Sequence, residues 1–159
     1  MHDAITRLVT SIHIDALTQI DIVLDNPFFY LIILLGLLIF FERRDEKRLK
    51  ILFAMVLAFM MGIIVNIGMA VERPCAEMDG AICPMLYSFP SIHCTMAFIL
   101  MISFLNKKPF PYLMLFALFI AFSRLHLGVH VFRDVAGGLI VGLLAYNIAD
   151  IVWRGWKNG

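Results

Sequence analysis

Charge is scarce in this chain. Asp, Glu, Lys and Arg make up 16% of its 159 residues, apolar residues make up 62%, and the mean hydropathy is +0.90. A soluble domain carries about a quarter charged residues, so the composition excludes an ordinary soluble fold and describes an integral membrane protein. The net charge of +1 gives no bulk attraction for nucleic acid. Cysteine occurs three times, with no familiar metal-ligand spacing to histidine. No carboxylate cluster suits a divalent cation, so the chemistry is expected to need no metal and no cofactor. No repeat or low-complexity tract is visible. The first 25 residues carry Asp3, Asp15, Asp21 and Asp25 where a cleavable signal has a basic start and a compact apolar core. Insertion is therefore expected to rely on the first spanning segment.

Long apolar runs fill most of the rest. Ile5, Leu8, Val9, Ile12, Leu17, Ile20, Val23 and Leu24 recur at helical spacing among acids and threonines. This predicts an amphipathic helix over 4–24 lying at the membrane interface, with 1–26 as an N-terminal unit; the alternative is a first spanning helix. Asn26-Pro27 opens a new element, since Pro fits a first helical turn. Residues 27–159 then read as one all-α bundle of about five transmembrane helices, at 27–41, 50–71, 91–106, 110–123 and 132–153. Several fall short of the ~20 apolar residues of a full span, where polar residues cap the segments.

With five spans, Arg43, Arg44, Lys47, Arg48, Lys50, Lys107, Lys108, Arg154 and Lys157 share one side, and Arg7, Arg73, Arg124 and Arg133 the other. The positive-inside rule makes the first side cytoplasmic. The 72–90 and 124–133 loops then face outward. Cys75 and Cys83 lie in the first of these and can either bridge in an oxidising compartment or stay as free thiols; Cys94 is read as packing. Glu72, Glu77 and Asp79 make that loop acidic. His2 and His13 are read as surface residues, and Asp150 is expected to be solvated or paired with Arg154 one turn on.

Three outward segments carry chemistry. Glu72-Arg73-Pro74 ends the second span, Phe89-Pro90-Ser91-Ile92-His93 opens the third, and Ser123-Arg124 through His130 and Asp134 joins the last two. Arginines fork onto phosphate oxygens. A helix opening at Pro90-Ser91 directs N–H groups and a hydroxyl at an anion. His130 and Asp134, four apart, share a helical face, so the carboxylate orients the imidazole. One imidazole then serves as nucleophile or base and a second as proton donor. His126 fits no such role and is read as supporting the site residues or as structural, while Gly128, Gly137 and Gly138 are expected to allow close helix approach.

These residues resemble the type 2 phosphatidic acid phosphatase superfamily, whose three motifs read K-x6-R-P, P-S-x-H and S-R-x5-H-x3-D. Arg73-Pro74 matches the end of the first, Pro90-Ser91-Ile92-His93 the second, and Ser123-Arg124, His130 and Asp134 the third. Ile92 stands where glycine is commonest. Asn66 stands where the lysine belongs, which removes a charge-assisted contact of roughly 1.5–3 kcal/mol; Arg133 is the nearest unassigned cation to replace it.

The resemblance implies that His130 attacks phosphorus to form a phosphohistidine, held by Asp134. His93 protonates the leaving oxygen and then activates water. Arg73, Ser91, the Ile92 N–H, Arg124 and Asn66 bind phosphate oxygens. It also implies a multi-pass plasma-membrane protein with an outward active site and a lipid phosphate as substrate. Polyprenyl pyrophosphate is favoured over phosphatidic acid or phosphatidylglycerophosphate. Lipid phosphotransfer and a non-catalytic lipid-binding protein are the other readings, and oligomeric state is not legible.

Overall fold

The computed structural model describes residues 3–12, 14–77 and 83–158. His2, His13 and Asp79 lie outside these. Among the described residues the regular structure is all helical: α1 (Ala4–Thr10), α2 (Asp15–Asp25), α3 (Pro27–Phe41), α4 (Asp45–Met69), α5 (Ile92–Ser103), α6 (Phe110–His126) and α7 (Phe132–Asn158), with a short 3₁₀ turn at Pro74–Glu77.

The single helix expected over 4–24 is two helices. Thr10 Oγ1 bonds back to the Thr6 carbonyl at 2.9 Å and Ser11 Oγ to the Leu8 carbonyl at 2.7 Å. Hydroxyls that compete for helix carbonyls favour termination, and the chain restarts at Asp15. The next break follows local chemistry as expected. Asn26 Oδ1 accepts from the Phe28 and Phe29 amides at 3.0 and 3.3 Å, and Pro27 occupies the first helical position. The extended backbone of Asn26 turns α3 by 84° relative to α2.

By length and composition, α4 and α7 are long and apolar enough to cross a membrane, and the bent α2–α3 pair makes a third candidate. α5 and α6 are shorter apolar helices. α5 is the central element, touching α3, α4, α6 and α7. Its Cys94, Ala97, Ile99 and Leu100 have no exposure, so Cys94 is packing, as read from sequence. Phe28, Ile32, Phe40, Val56 and Ile151 are exposed on the outside, as a lipid-facing surface requires. At one end of the bundle Asp150 pairs with Lys50, and with Arg154 at 2.7 Å.

Small residues set the α5–α7 distance. A Cβ on Gly138 would stand 3.0 Å from the Ser91 carbonyl oxygen and 3.1 Å from the Thr95 nitrogen, both backbone atoms that cannot swing away. A Cβ on Gly137 would stand 2.3 Å from the Phe89 ring. Gly128 serves differently from the expectation: its φ of 67° closes the turn after α6, a conformation that favours glycine.

Gly138→Val is expected to push α7 off α5, costing about 1–3 kcal/mol. The check is thermal unfolding in detergent; an unchanged Tm would show that the contact does not limit packing.

Candidate active site

The loops after α4 and α6 and the starts of α5 and α7 meet at one end of the bundle. Asp134 ties them together. It sits in the first turn of α7 with no exposure. Its Oδ2 accepts from the Val131 amide at 2.9 Å, the N3-to-N-cap half of a capping box. The same oxygen accepts from the Ser88 hydroxyl, and the Asp134 carbonyl accepts from the Ser91 amide at 3.0 Å. One residue therefore holds the 127–131 turn, the 87–91 segment and α7 in register.

His130 is buried, with Nδ1 3.6 Å from Asp134 Oδ2. That is an ion-pair distance rather than a hydrogen bond. Its Nε2 lies 3.1 Å from Arg73 Nη1. A guanidinium only donates, so Nε2 is the acceptor and the proton resides on Nδ1, facing the carboxylate. Burial holds His130 below its ordinary value of 6.5, and Asp134 opposes that shift. The side chain is thus a neutral imidazole with its lone pair turned toward a cation. Arg73 is fixed in turn by the Leu86 and Val129 carbonyls, at 2.6 and 3.1 Å. Nearby, the Cys75–Cys83 disulfide is formed, with Cα atoms 5.8 Å apart.

His93, in the first turn of α5, is held through its backbone: the Tyr30 hydroxyl donates to its carbonyl at 2.7 Å, and the two rings lie 4.6 Å apart. Its Nε2 is buried without a hydrogen bond among the described residues, as are Ser91 Oγ, Asn66 Oδ1, Arg124 Nε and Asp134 Oδ1. Buried polar groups ordinarily find partners. Here the orphans concentrate on the residues that the sequence singles out. Beside His93 an apolar cavity of about 270 Å³ opens between α3, α4 and α5, walled by Tyr30, Leu34, Phe59, Ile92 and Met96 among others.

Three of these residues meet the protein's own groups. Asn66, fully buried, directs its amide donors to the Tyr87 and Phe89 carbonyls at 2.8 and 3.1 Å rather than to an open anion site. Arg124, also fully buried, is ion-paired: Nη1 meets Asp25 Oδ1 at 2.5 Å, and Nη2 donates to the Asp21 carbonyl at 3.2 Å and to Ser123 Oγ at 2.9 Å. Arg133 is exposed, with Nε 3.6 Å from Asp134 Oδ1, and does not fill the place of a buried cation. His126 is structural as expected, bridging Asp21 Oδ2 at 2.6 Å and the Ile12 carbonyl at 2.8 Å. Ile92 puts its Cδ1 into the notch at Gly62, 2.8 Å from where a Cβ would sit.

Sequence reasoning missed Ser88, Asp21, Asp25 and Tyr30. Ser88 carries no motif signal. The two aspartates resemble the polar side of an amphipathic helix, although an acid beside the Asn26-Pro27 break was a hint. The N-terminal segment also caps α7, whose Phe132 amide donates to Thr6 Oγ1 at 3.0 Å.

Comparison with known proteins fits this arrangement. Over 70 residues the chain is 40% identical to the putative undecaprenyl-diphosphatase YbjG of Escherichia coli (strain K12). That match takes in 42% of this chain and 35% of that protein, so the chain spans about a third of the relative's length. Among solved structures, the fold is similar to LpxE of Aquifex aeolicus, with TM-score 0.72 and 24% identity over 91% of this chain and 92% of that one. It is also similar to a PAP2-type phosphatidylglycerolphosphate phosphatase of Bacillus subtilis, with TM-score 0.70 and 20% identity over 98% and 83%. Residues 49–156 match the family model described as PAP2 superfamily, a stretch that holds Asn66, Arg73, Ser91, His93, Arg124, His130 and Asp134. The chain belongs to the PAP2 superfamily.

Proposed function

We propose that this protein is a lipid phosphate phosphatase that works through a phosphohistidine. The observation that carries the reading is the His130 lone pair turned toward Arg73, with Asp134 behind the ring. Nε2 attacks phosphorus, and the bond from phosphorus to the leaving oxygen breaks. His93 gives that oxygen a proton. Water then attacks the phosphohistidine, the P–N bond breaks, and His93 takes the water's proton as inorganic phosphate leaves. Arg73, Ser91 Oγ and the Ile92 amide hold the equatorial oxygens, where charge spreads in the transition state. Arg124 adds buried positive charge, and substrate phosphate competes with Asp25 for its guanidinium.

The apolar cavity beside His93 supports a lipid over a soluble phosphate, because its walls, His93 apart, offer mainly dispersion contacts. We favour polyprenyl pyrophosphate, with phosphatidic acid and phosphatidylglycerophosphate as the competing substrates. We read five spans, with α1 and α2 at the interface and residues 27–159 as the phosphatase bundle, in a plasma membrane. The active site faces outward. Two observations support that face: the Cys75–Cys83 bridge beside Arg73, which persists in an oxidising compartment, and the gathering of nine of the 13 Lys and Arg at the opposite end.

The test is phosphate release in detergent from these three lipids. His130→Ala is expected to lower turnover by more than about 1,000-fold, as loss of a nucleophile does. His93→Ala is expected to cost about 100-fold or more. Release that survives His130→Ala would sink the mechanism, and the ranking of the three lipids decides the substrate.

A pH profile gives an independent check. His130 must be neutral to attack, and burial lowers its pKa. Activity is then retained as pH falls through 6.5 and lost only below it, so the acid limb of kcat/KM should lie under the ordinary imidazole value of 6.5. An acid limb above that value would contradict a buried neutral nucleophile.

A further inference from the structure

Asn66 occupies a position where the resemblance leads one to expect a cation on phosphate, yet both of its observed contacts are to the protein's own backbone. The carbonyls it holds, those of Tyr87 and Phe89, flank Ser88. Ser88 is itself 1% exposed, and its amide donates to the Val71 carbonyl at 2.7 Å. Its backbone is thus gripped on both sides. From that position its hydroxyl donates to Asp134 Oδ2, the oxygen that also faces His130 Nδ1. A buried carboxylate with few donors is costly, and the Ser88 hydroxyl is the side-chain donor that this oxygen receives. The Ser91 amide bond to the Asp134 carbonyl anchors the same segment on the same turn of α7.

We propose that Asn66 and Ser88 are positioning residues for the nucleophile: Asn66 clamps the 87–89 backbone so that Ser88 donates to Asp134, and Asp134 in turn sets the tautomer and orientation of His130. The inference rests on His130 being the nucleophile. It gives Asn66 a role distinct from phosphate binding. A lysine at this buried position would bring a longer stem and a charge among groups already satisfied by two amide hydrogens.

Four variants test it: Ser88→Ala, Asn66→Asp, the double variant, and Asn66→Lys. Asn66→Asp is nearly isosteric and removes both donors, so it keeps the test open if Ser88→Ala folds poorly. Each single variant is expected to lower kcat by about 10–100-fold, the worth of one charge-assisted hydrogen bond, with KM nearly unchanged. The double variant should be no worse than the worse single one, because both act along one chain of contacts. Asn66→Lys should lower kcat.

A readout free of turnover is the imidazole ¹⁵N NMR titration of His130, assigned by the signal lost in His130→Ala. In Ser88→Ala the less solvated carboxylate pulls harder on the His130 proton. The midpoint should move to higher pH, against the opposing Arg73, Arg124 and His93 fields. Additive losses in the double variant, a gain of activity in Asn66→Lys, or a His130 titration indifferent to Ser88→Ala would each overturn the proposal. If the wild type releases no phosphate but the His130 titration still responds to Ser88, the positioning chain stands and the phosphatase reading fails.

Discussion

One buried carboxylate organises the polar end of this molecule. Asp134 has no exposure, and an ionised carboxylate so placed must be met by donors from several directions. Those donors come from the turn before α7 and from the segment before α5, with the nucleophile candidate on the third side. The need to satisfy Asp134 therefore forces together loops that are remote in the chain. The glycines beneath it make that closeness available: Gly137 accepts the Phe89 ring, and Gly138 admits the backbone at Ser91. Packing and the candidate active site share the same residues here.

A second set of buried polar side chains fastens the N-terminal helices. Arg124 and Asp21 have no exposure, and His126 is nearly as buried. Each alone would be strongly unfavourable; in pairs, with backbone carbonyls completing their shells, they hold α2 against α6. The amphipathic character of the N-terminal segment is thereby reversed in use. Asp21 and Thr6 are buried against the rest of the protein, while Ile5, Leu8, Ile20 and Ile22 stay exposed on the outside. Breaking one partner of such a pair leaves the other charge stranded, so these helices belong to the site's support. The Arg124–Asp25 pair also means that a phosphate reaching Arg124 must outbid a carboxylate already present.

The apolar cavity lies directly beside these polar contacts, with His93 in its wall. Tyr30 forms part of its wall and also bonds the His93 carbonyl, so one residue sets both the cavity's shape and the start of α5. Ile92, with its Cδ1 against Gly62, is another part of the wall.

Much of this was legible in one dimension, because its causes are local. Low charge and long apolar runs define the membrane class. Asn26-Pro27 opens α3 at Pro27 by capping chemistry confined to residues 26–29. The i, i+4 spacing puts Asp134 behind His130, and motif order brings Arg73, His93 and His130 to one end. The break between α1 and α2 is local too, but it turns on hydroxyls choosing helix carbonyls, which periodicity does not register. What only the tertiary structure decided is where the donors go. Ser88 reaches Asp134 from 46 positions away, Arg124 meets Asp25 across 99 and His126 meets Asp21 across 105. Asn66 offered the same amide to phosphate or to backbone on paper; two carbonyls 21 and 23 residues on took it. Residue type limits which bonds a side chain can make, and the fold, by choosing its neighbours, selects the bonds it does make.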